Sequence, residues 1–130
     1  MFEKLSIFAK ANDLALHAAA RQSVIAQNVA NADTPGYRAR DVASFSETYK
    51  PGRPDQMRAT RSGHIGADAA TSPATESNVV YRAGATSPNG NSVSLETEMM
   101  MAAEAKRDHD MALAVYKSTL GIMRSALGRR

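Results

Sequence analysis

Asn28-Val29-Ala30-Asn31-Ala32-Asp33-Thr34-Pro35-Gly36-Tyr37 ends one long helical pattern and turns the chain into a different kind of sequence. Pro35 has no N–H, and its ring pushes Thr34 out of the helical region. Gly36 follows at the position where a type II turn needs φ > 0. Thr34, Pro35, Gly36 and Tyr37 therefore read as a turn. Upstream of it there is no Pro or Gly between Met1 and Thr34. Phe8, Ala11, Ala15, Ala18, Ile25, Val29 and Ala32 recur at three- and four-residue spacing, Gln22 interrupts, and Leu14 and Val24 widen the stripe. The pattern predicts a helix over residues 5–32, about 42 Å long at 1.5 Å per residue. Its alanines favour helix and let a second helix come close. Asn28 and Asn31 stand at its end. Asparagine is an indifferent helix former, and two readings stay open: it caps its own helix end, or it bonds a neighbour's backbone.

Beyond the turn the composition changes. Four of the five prolines (Pro51, Pro54, Pro73, Pro88) and five of the eight glycines lie between residues 51 and 90. Val42 with Phe45, and Val79-Val80-Tyr81, are the segments that read as strand or anchor. The stretch 38–91 is expected to be loops, disordered in the isolated chain, with room for a small β-hairpin.

The second helical pattern covers residues 94–127. Leu95, Met99, Ala102, Lys106, His109, Leu113, Tyr116, Leu120, Met123 and Leu127 alternate four and three apart, and eight of these ten are apolar. Ser94 is placed to cap the N-terminus, Glu96 and Glu98 put acid in the first turn, and Gly128 follows where the helix must stop. The predicted length is about 51 Å. The fold class is mainly α: two long terminal helices forming an antiparallel coiled-coil-like pair, joined by a loop-rich middle. The organisation follows as an N-terminal helix in residues 1–34, a turn and loop-rich insertion in 35–91, and a C-terminal helix in 92–130. A helix pair covers one stripe of each partner, and Ile7, Leu14, Met100, Met111, Val115 and Ile122 lie off the best seam. Exposed apolar patches of this kind mark partner surfaces.

Composition excludes several functions. Aromatics are 5% of the 130 residues and tryptophan is absent, which argues against a deep self-sufficient core. Net charge is +3. Basic and acidic groups number three and three in residues 1–34, seven and five in 35–91, and six and five in 92–130. No segment is basic enough for a nucleic-acid footprint. Arg129-Arg130 reads as a solvated end. No cysteine is present, so disulfides and thiolate metal sites are ruled out. No run approaches the roughly 20 apolar residues of a membrane span. Lys4 and Ala18-Ala19-Ala20 imitate parts of a signal peptide, but Lys10, Asn12, Asp13 and His17 break its apolar stretch. Residues 1–34 are therefore read as part of the mature fold.

No constellation carries catalysis. Phosphate loop, nucleophile elbow and zinc motif are all missing. His17, His64 and His109 are far apart in sequence. Asp108-His109-Asp110 cannot converge on one ion, because adjacent helical residues point in different directions. Glu104 and Asp108 share a helix face with Lys106, Arg107 and Asp110, as in a solvated charged surface. Met99-Met100-Met101 reads as seam and adaptable contact surface ahead of a soft-metal site. Arg38, Arg40, Arg53, Arg58 and Arg61 lie among Asp41, Glu47 and Asp55, as in a solvated loop. No catalytic, cofactor-binding or metal residue is assigned, and no cofactor is expected.

Arg21-Gln22 followed by residues 24–41, with the core Asn28-Val29-Ala30-Asn31 and Thr34-Pro35-Gly36-Tyr37, resembles the N-terminal signature of bacterial flagellar axial proteins, the rod and hook family. Ala32-Asp33 before that turn and Arg38-Ala39-Arg40-Asp41 after it are most similar to the proximal rod proteins. The C-terminal part agrees through Asn89-Gly90-Asn91-Ser92-Val93, Leu95-Glu96-Thr97-Glu98-Met99 and Ala103-Glu104; Ala105 stands where the family often has an amide. The resemblance covers residues 14–45 and 89–127. It implies a structural subunit of the basal-body rod, a hollow helical shaft across the periplasm that is drive shaft and export channel wall at once. It implies export by the flagellar type III apparatus without a cleaved signal. The implied partners are further copies of the chain, the rod protein FlgC and other rod subunits, the rod–membrane-ring adaptor FliE and the membrane-ring protein FliF. Expected subunit contacts on the first helix are Leu14, Ala18, Ile25, Asn28, Val29 and Asn31. On the second they are Leu95, Met99, Leu113, Tyr116, Leu120, Met123 and Leu127. The competing reading is a coiled-coil adaptor or export chaperone, a fully helical soluble dimer, against which the Pro- and Gly-rich middle argues.

Overall fold

A computed structural model describes residues 2–49 and 79–128, with side chains from residue 6 onward. Helix α1 spans Phe2–Ala30 and helix α3 spans Leu95–Ala126. Between them lie strand β1 (Arg40–Val42), a single helical turn α2 (Phe45–Thr48) and strand β2 (Val79–Tyr81). Both long helices match the sequence pattern to within a few residues. The prolines at 51, 54 and 73, Arg53, Arg58, Arg61, His64 and the Arg129-Arg130 end fall outside the described residues.

The two helices run antiparallel. Phe8 meets Tyr116 edge-on at 5.0 Å, Arg21 reaches Glu104 at 3.7 Å, and Asn28 reaches Glu98 at 3.1 Å, so positions rise along one helix as they fall along the other. The buried line of α1 runs through Ala11, Ala18, Val24, Ile25 and Asn28. That of α3 runs through Glu98, Ala105, Ala112 and Thr119, each seven residues from the next. Such a period keeps one face of a helix against its partner.

The line on α3 differs from the one predicted. Each buried residue immediately precedes a predicted seam residue: Glu98 precedes Met99, Ala105 Lys106, Ala112 Leu113 and Thr119 Leu120. The other half of the predicted seam stays beside the contact, with Ala102, His109 and Met123 partly buried. Leu95, Met99, Leu113, Tyr116 and Leu127 are exposed in the chain. The cause is size: interaxial distance depends on the side chains at the contact, and alanine on both helices lets them close. The bulky residues are then left on the flanks. Thr119 satisfies its hydroxyl by donating to the Val115 carbonyl at 2.8 Å, so it is tolerated in the buried line.

The predicted anchors form a small sheet. β1 and β2 are antiparallel, with Arg40 opposite Tyr81, Asp41 opposite Val80 and Val42 opposite Val79. Val42 and Ala39 are buried, whereas all of β2 is exposed. Turn α2 was not expected from the sequence. It docks on α1 through His17, whose Nε2–H donates to the Ala43 carbonyl at 2.7 Å and whose ring meets Phe45 at 5.6 Å. Among the described residues no helix is long and apolar enough to cross a membrane.

Overfilling the close seam should separate the helices. Ala112→Leu is expected to cost about 1–3 kcal/mol by overpacking. Leu113→Ala, one residue on, should stay within about 0.5 kcal/mol in the isolated chain, as surface changes do. Urea unfolding followed by far-UV circular dichroism measures both, and equal effects would refute the alanine seam.

Candidate functional site

The site is built where α1 ends. A helix C-terminus leaves its last carbonyls without intrahelical donors. Asn31 meets part of this need, its Nδ2 donating to the Gln27 carbonyl at 2.8 Å. Thr34 and Tyr37 close the expected turn, with Tyr37 N–H on the Thr34 carbonyl at 3.3 Å and Gly36 at φ 71°. That is a type II turn, and its left-handed residue favours glycine.

The carbonyls of the turn that follows α1 are met from 57 to 60 residues away. The Nδ2 of Asn91 lies 2.9 Å from the Asn31 carbonyl, 2.7 Å from that of Ala32 and 2.9 Å from that of Thr34. Its Oδ1 accepts from Val93 N–H at 2.7 Å. Neighbours on the same loop add two backbone–backbone bonds and one bond to a side-chain hydroxyl. Gly36 N–H donates to the Asn89 carbonyl at 3.0 Å, Ser92 N–H to the Tyr37 carbonyl at 3.0 Å, and Ala39 N–H to Ser92 Oγ at 2.9 Å. A Cβ on Gly90 would stand 3.4 Å from the Gly36 Cα, so the two glycine turns sit back to back. The loop entering α3 is thereby sewn to the loop leaving α1.

Asn28 lies one turn deeper and is fully buried. Its Nδ2 donates to the Arg40 carbonyl at 2.7 Å and to Glu98 Oε2 at 3.1 Å. Its Oδ1 accepts from Arg40 N–H at 3.1 Å and from the Tyr37 hydroxyl at 3.3 Å. The side-chain amide thus pairs with both backbone groups of Arg40 as a neighbouring strand would, using its full bonding capacity. Of the two roles left open for the asparagines, Asn31 caps its own helix and Asn28 holds a distant backbone. Glu98 also pairs with the Arg82 guanidinium, and the same guanidinium lies against the Met101 sulfur.

Sequence reasoning located Thr34, Pro35, Gly36 and Tyr37 and read Glu98 only as acid in the first turn of the second helix, but gave no role to Asn91, Ser92 or Arg82. Asn91 had a signal, since it sits in the Asn89–Val93 motif. Of the expected subunit contacts, Ala18, Ile25 and Asn28 are buried within the chain's own helix pair, so they offer no outer surface here. Leu14, Asn31, Leu120 and Met123 are partly buried. Val29, Leu95, Met99, Leu113, Tyr116 and Leu127 are exposed.

The exposed apolar residues of α3 fall on two sides. At about 100° per residue, Leu95, Met99 and Leu113 lie to one side of the buried line, and Met111, Val115 and Ile122 to the other. All six are exposed. Between them the charges pair locally: Lys106 with Asp110 at 3.3 Å and Arg107 with Asp108 at 3.2 Å. Glu104 faces Arg21, which also holds Asp41 at 3.2 Å. Among the described residues no group of His, Cys, Asp and Glu is arranged to hold a metal ion. Arg38 lies over the Tyr81 ring at 4.9 Å, and Arg40 donates to Gln27 Oε1 at 2.9 Å.

The family pattern of the flagella basal body rod proteins matches residues 16–38, the stretch that ends α1 and carries the turn. The chain belongs to the FlgB family of that class. It is 38% identical over 117 residues to the flagellar basal body rod protein FlgB of Salmonella typhimurium strain LT2, covering 84% of this chain and 83% of that one. It is 35% identical over 136 residues to FlgB of Escherichia coli K12, covering 98% and 97%. Against FlgB of Agrobacterium fabrum it is 31% identical over 118 residues, covering 89% and 88%. The protein is accordingly a structural component of the flagellar basal body rod and of motility, and no enzyme.

Two predictions follow the geometry of the turns. Asn91→Asp replaces a donor with a carboxylate facing three carbonyls, and should destabilise the chain more than Asn91→Ala, which costs about 1–3 kcal/mol for the groups left unpaired. Unfolding by urea ranks the two, and the reverse order would exclude the cap. At Gly36, where a Cβ meets nothing within 4 Å, the cost of substitution is backbone conformation alone. Gly36→Asn should therefore be milder than Gly36→Val, which should lose about 1–2 kcal/mol or more; matching thermal midpoints would contradict a left-handed requirement.

Proposed function

We propose that this chain is a subunit of the proximal rod, assembling helically through its terminal helices into part of the drive shaft and the wall of the export channel. The observation that carries the reading is the two-sided apolar surface of α3. A helix pair that satisfied itself would bury its large residues and expose its small ones. Here the small residues are inside, and Leu95, Met99 and Leu113 stand exposed on one flank and Met111, Val115 and Ile122 on the other. Surfaces on two opposite sides suit head-to-tail contacts, which propagate into helical arrays where like-to-like contacts close into dimers.

In this reading the division of labour follows the chain. Residues 1–34 and 92–130 supply the packed helices of the inner layer, and 35–91 the outer insertion. The turn at Thr34–Tyr37 directs the chain from one layer to the other. The expected contacts on the outer surface are Leu14, Val29, Asn31, Leu95, Met99, Leu113, Tyr116, Leu120, Met123 and Leu127. The neighbours are further copies, FlgC and other rod subunits, with FliE and FliF at the membrane-ring end. The subunit reaches the periplasmic rod through the flagellar type III export apparatus, without loss of a signal peptide.

Met99 is 67% and Ile122 54% exposed, so a charge at either leaves the isolated chain intact. Met99→Asp and Ile122→Asp, each as the sole chromosomal copy, should keep the helicity of the purified chain and abolish swimming. Mass spectrometry of hook–basal bodies should find the unsubstituted chain in them and lack the variants. Swimming by both variants, or absence of the unsubstituted chain from bodies that retain the other rod proteins, would overturn the reading in favour of a soluble helical adaptor.

A further inference from the structure

Glu98 is the largest fully buried side chain among the described residues. It stands at the start of the buried line of α3, ahead of Ala105 and Ala112, and a buried carboxylate is a costly group to place. Its two partners come from different parts of the chain. Asn28 of α1 donates to Oε2, and Arg82 pairs with Oε1. Asn28 is present whenever the two helices meet, but it is neutral. Among the described residues the counter-charge comes from Arg82. Arg21, another cation on this side of α1, is held by Asp41 at 3.2 Å and faces Glu104 at 3.7 Å.

Arg82 is delivered by the sheet. It lies one residue past β2, and its N–H donates to the Ala39 carbonyl at 2.9 Å, just beyond the pairing of Arg40 with Tyr81. The guanidinium reaches Glu98 only when the chain has folded back along β1. A buried carboxylate robbed of its partner is strongly destabilising, whereas replacement of both charges by neutral groups need not be. We infer that Glu98 makes the pairing of α1 with α3 conditional on the return of β2. The terminal helices seat stably only after Arg82 has reached the buried carboxylate. Pairing that buries Glu98 without Arg82, within the chain or between two chains, is disfavoured by the same charge. Helices rich in alanine would otherwise pair in many ways, so the carboxylate acts as a checkpoint on the order and partner of pairing. This inference stands whether or not the chain assembles into a rod.

The test reads helix pairing far from the cluster. Phe8 and Tyr116, whose rings lie 5.0 Å apart near the other end of the pair, are replaced by cysteine in the full-length chain, which has no cysteine of its own. The rate of cross-linking by a short bis-maleimide is followed across a urea titration. R82M should lower the urea midpoint of cross-linking, and R82M/E98Q should restore it to that of the Arg82, Glu98 chain. R82M/E98M, with no polar group at either position, should also restore it. An unchanged midpoint in R82M would overturn the inference. So would midpoints in both double variants as low as in R82M, since the role of Arg82 would then be packing. Absence of the cross-link without urea in the parent chain would refute the helix pairing itself.

Discussion

Past the end of α1 the carbonyls of Asn31, Ala32 and Thr34 converge, and the side-chain amide of Asn91 brings them a donor from the loop that starts α3. Much of the structure depends on this bond set. Once Asn91 is seated, α3 must begin beside the end of α1 and run back along it. Ser92 then meets Tyr37 and Ala39, which aligns β1 for pairing with Asn28. The helices close on alanine because their ends are already held together. Satisfied polar groups, rather than large apolar ones, therefore fix the geometry at this end. That suits a chain with 5% aromatics, whose sparse core gives each polar contact a larger share of the ordering.

Legibility in the sequence followed how local each cause was. Pro35 and Gly36 announced the turn, because their restrictions act within the residue itself. The helices were visible from period and from the absence of breakers, and Gly128 marked the end of α3, where its φ is 67°. The seam of α3 was half legible. Counting apolar residues favours Met99 and Leu113, but the helices chose Ala105 and Ala112, since close approach depends on what the partner presents. Glu98 could not be read as a core residue at all. Its burial depends on Arg82 and Asn28, sixteen and seventy residues distant, arriving together. Turn α2 was missed because four residues carry no periodic signal, and its anchor is the distant His17.

The fold and the proposed role meet on the flanks of α3. Interlocked turns and an alanine seam complete the helix pair within one chain, and that leaves the large side chains outside. Such a subunit is finished internally and unfinished externally, as a component of an ordered array should be. Methionine is prominent on this outer surface, at Met99, Met100 and Met111, and its flexible thioether fits neighbours that are not identical. A rod subunit that contacts several different proteins would use that adaptability.

Methionine also offers the most direct measurement. In the free chain Met99 and Met100 are 67% and 69% exposed, and exposed thioethers oxidise to sulfoxides. Purified hook–basal bodies and the isolated chain should be oxidised side by side, then compared peptide by peptide by mass spectrometry. The account predicts that Met99, Met100 and Met111 are oxidised in the isolated chain and protected in the basal body. Equal oxidation in both would mean that the flanks of α3 face solvent in the assembled rod, and would contradict the claim that they are its subunit contacts.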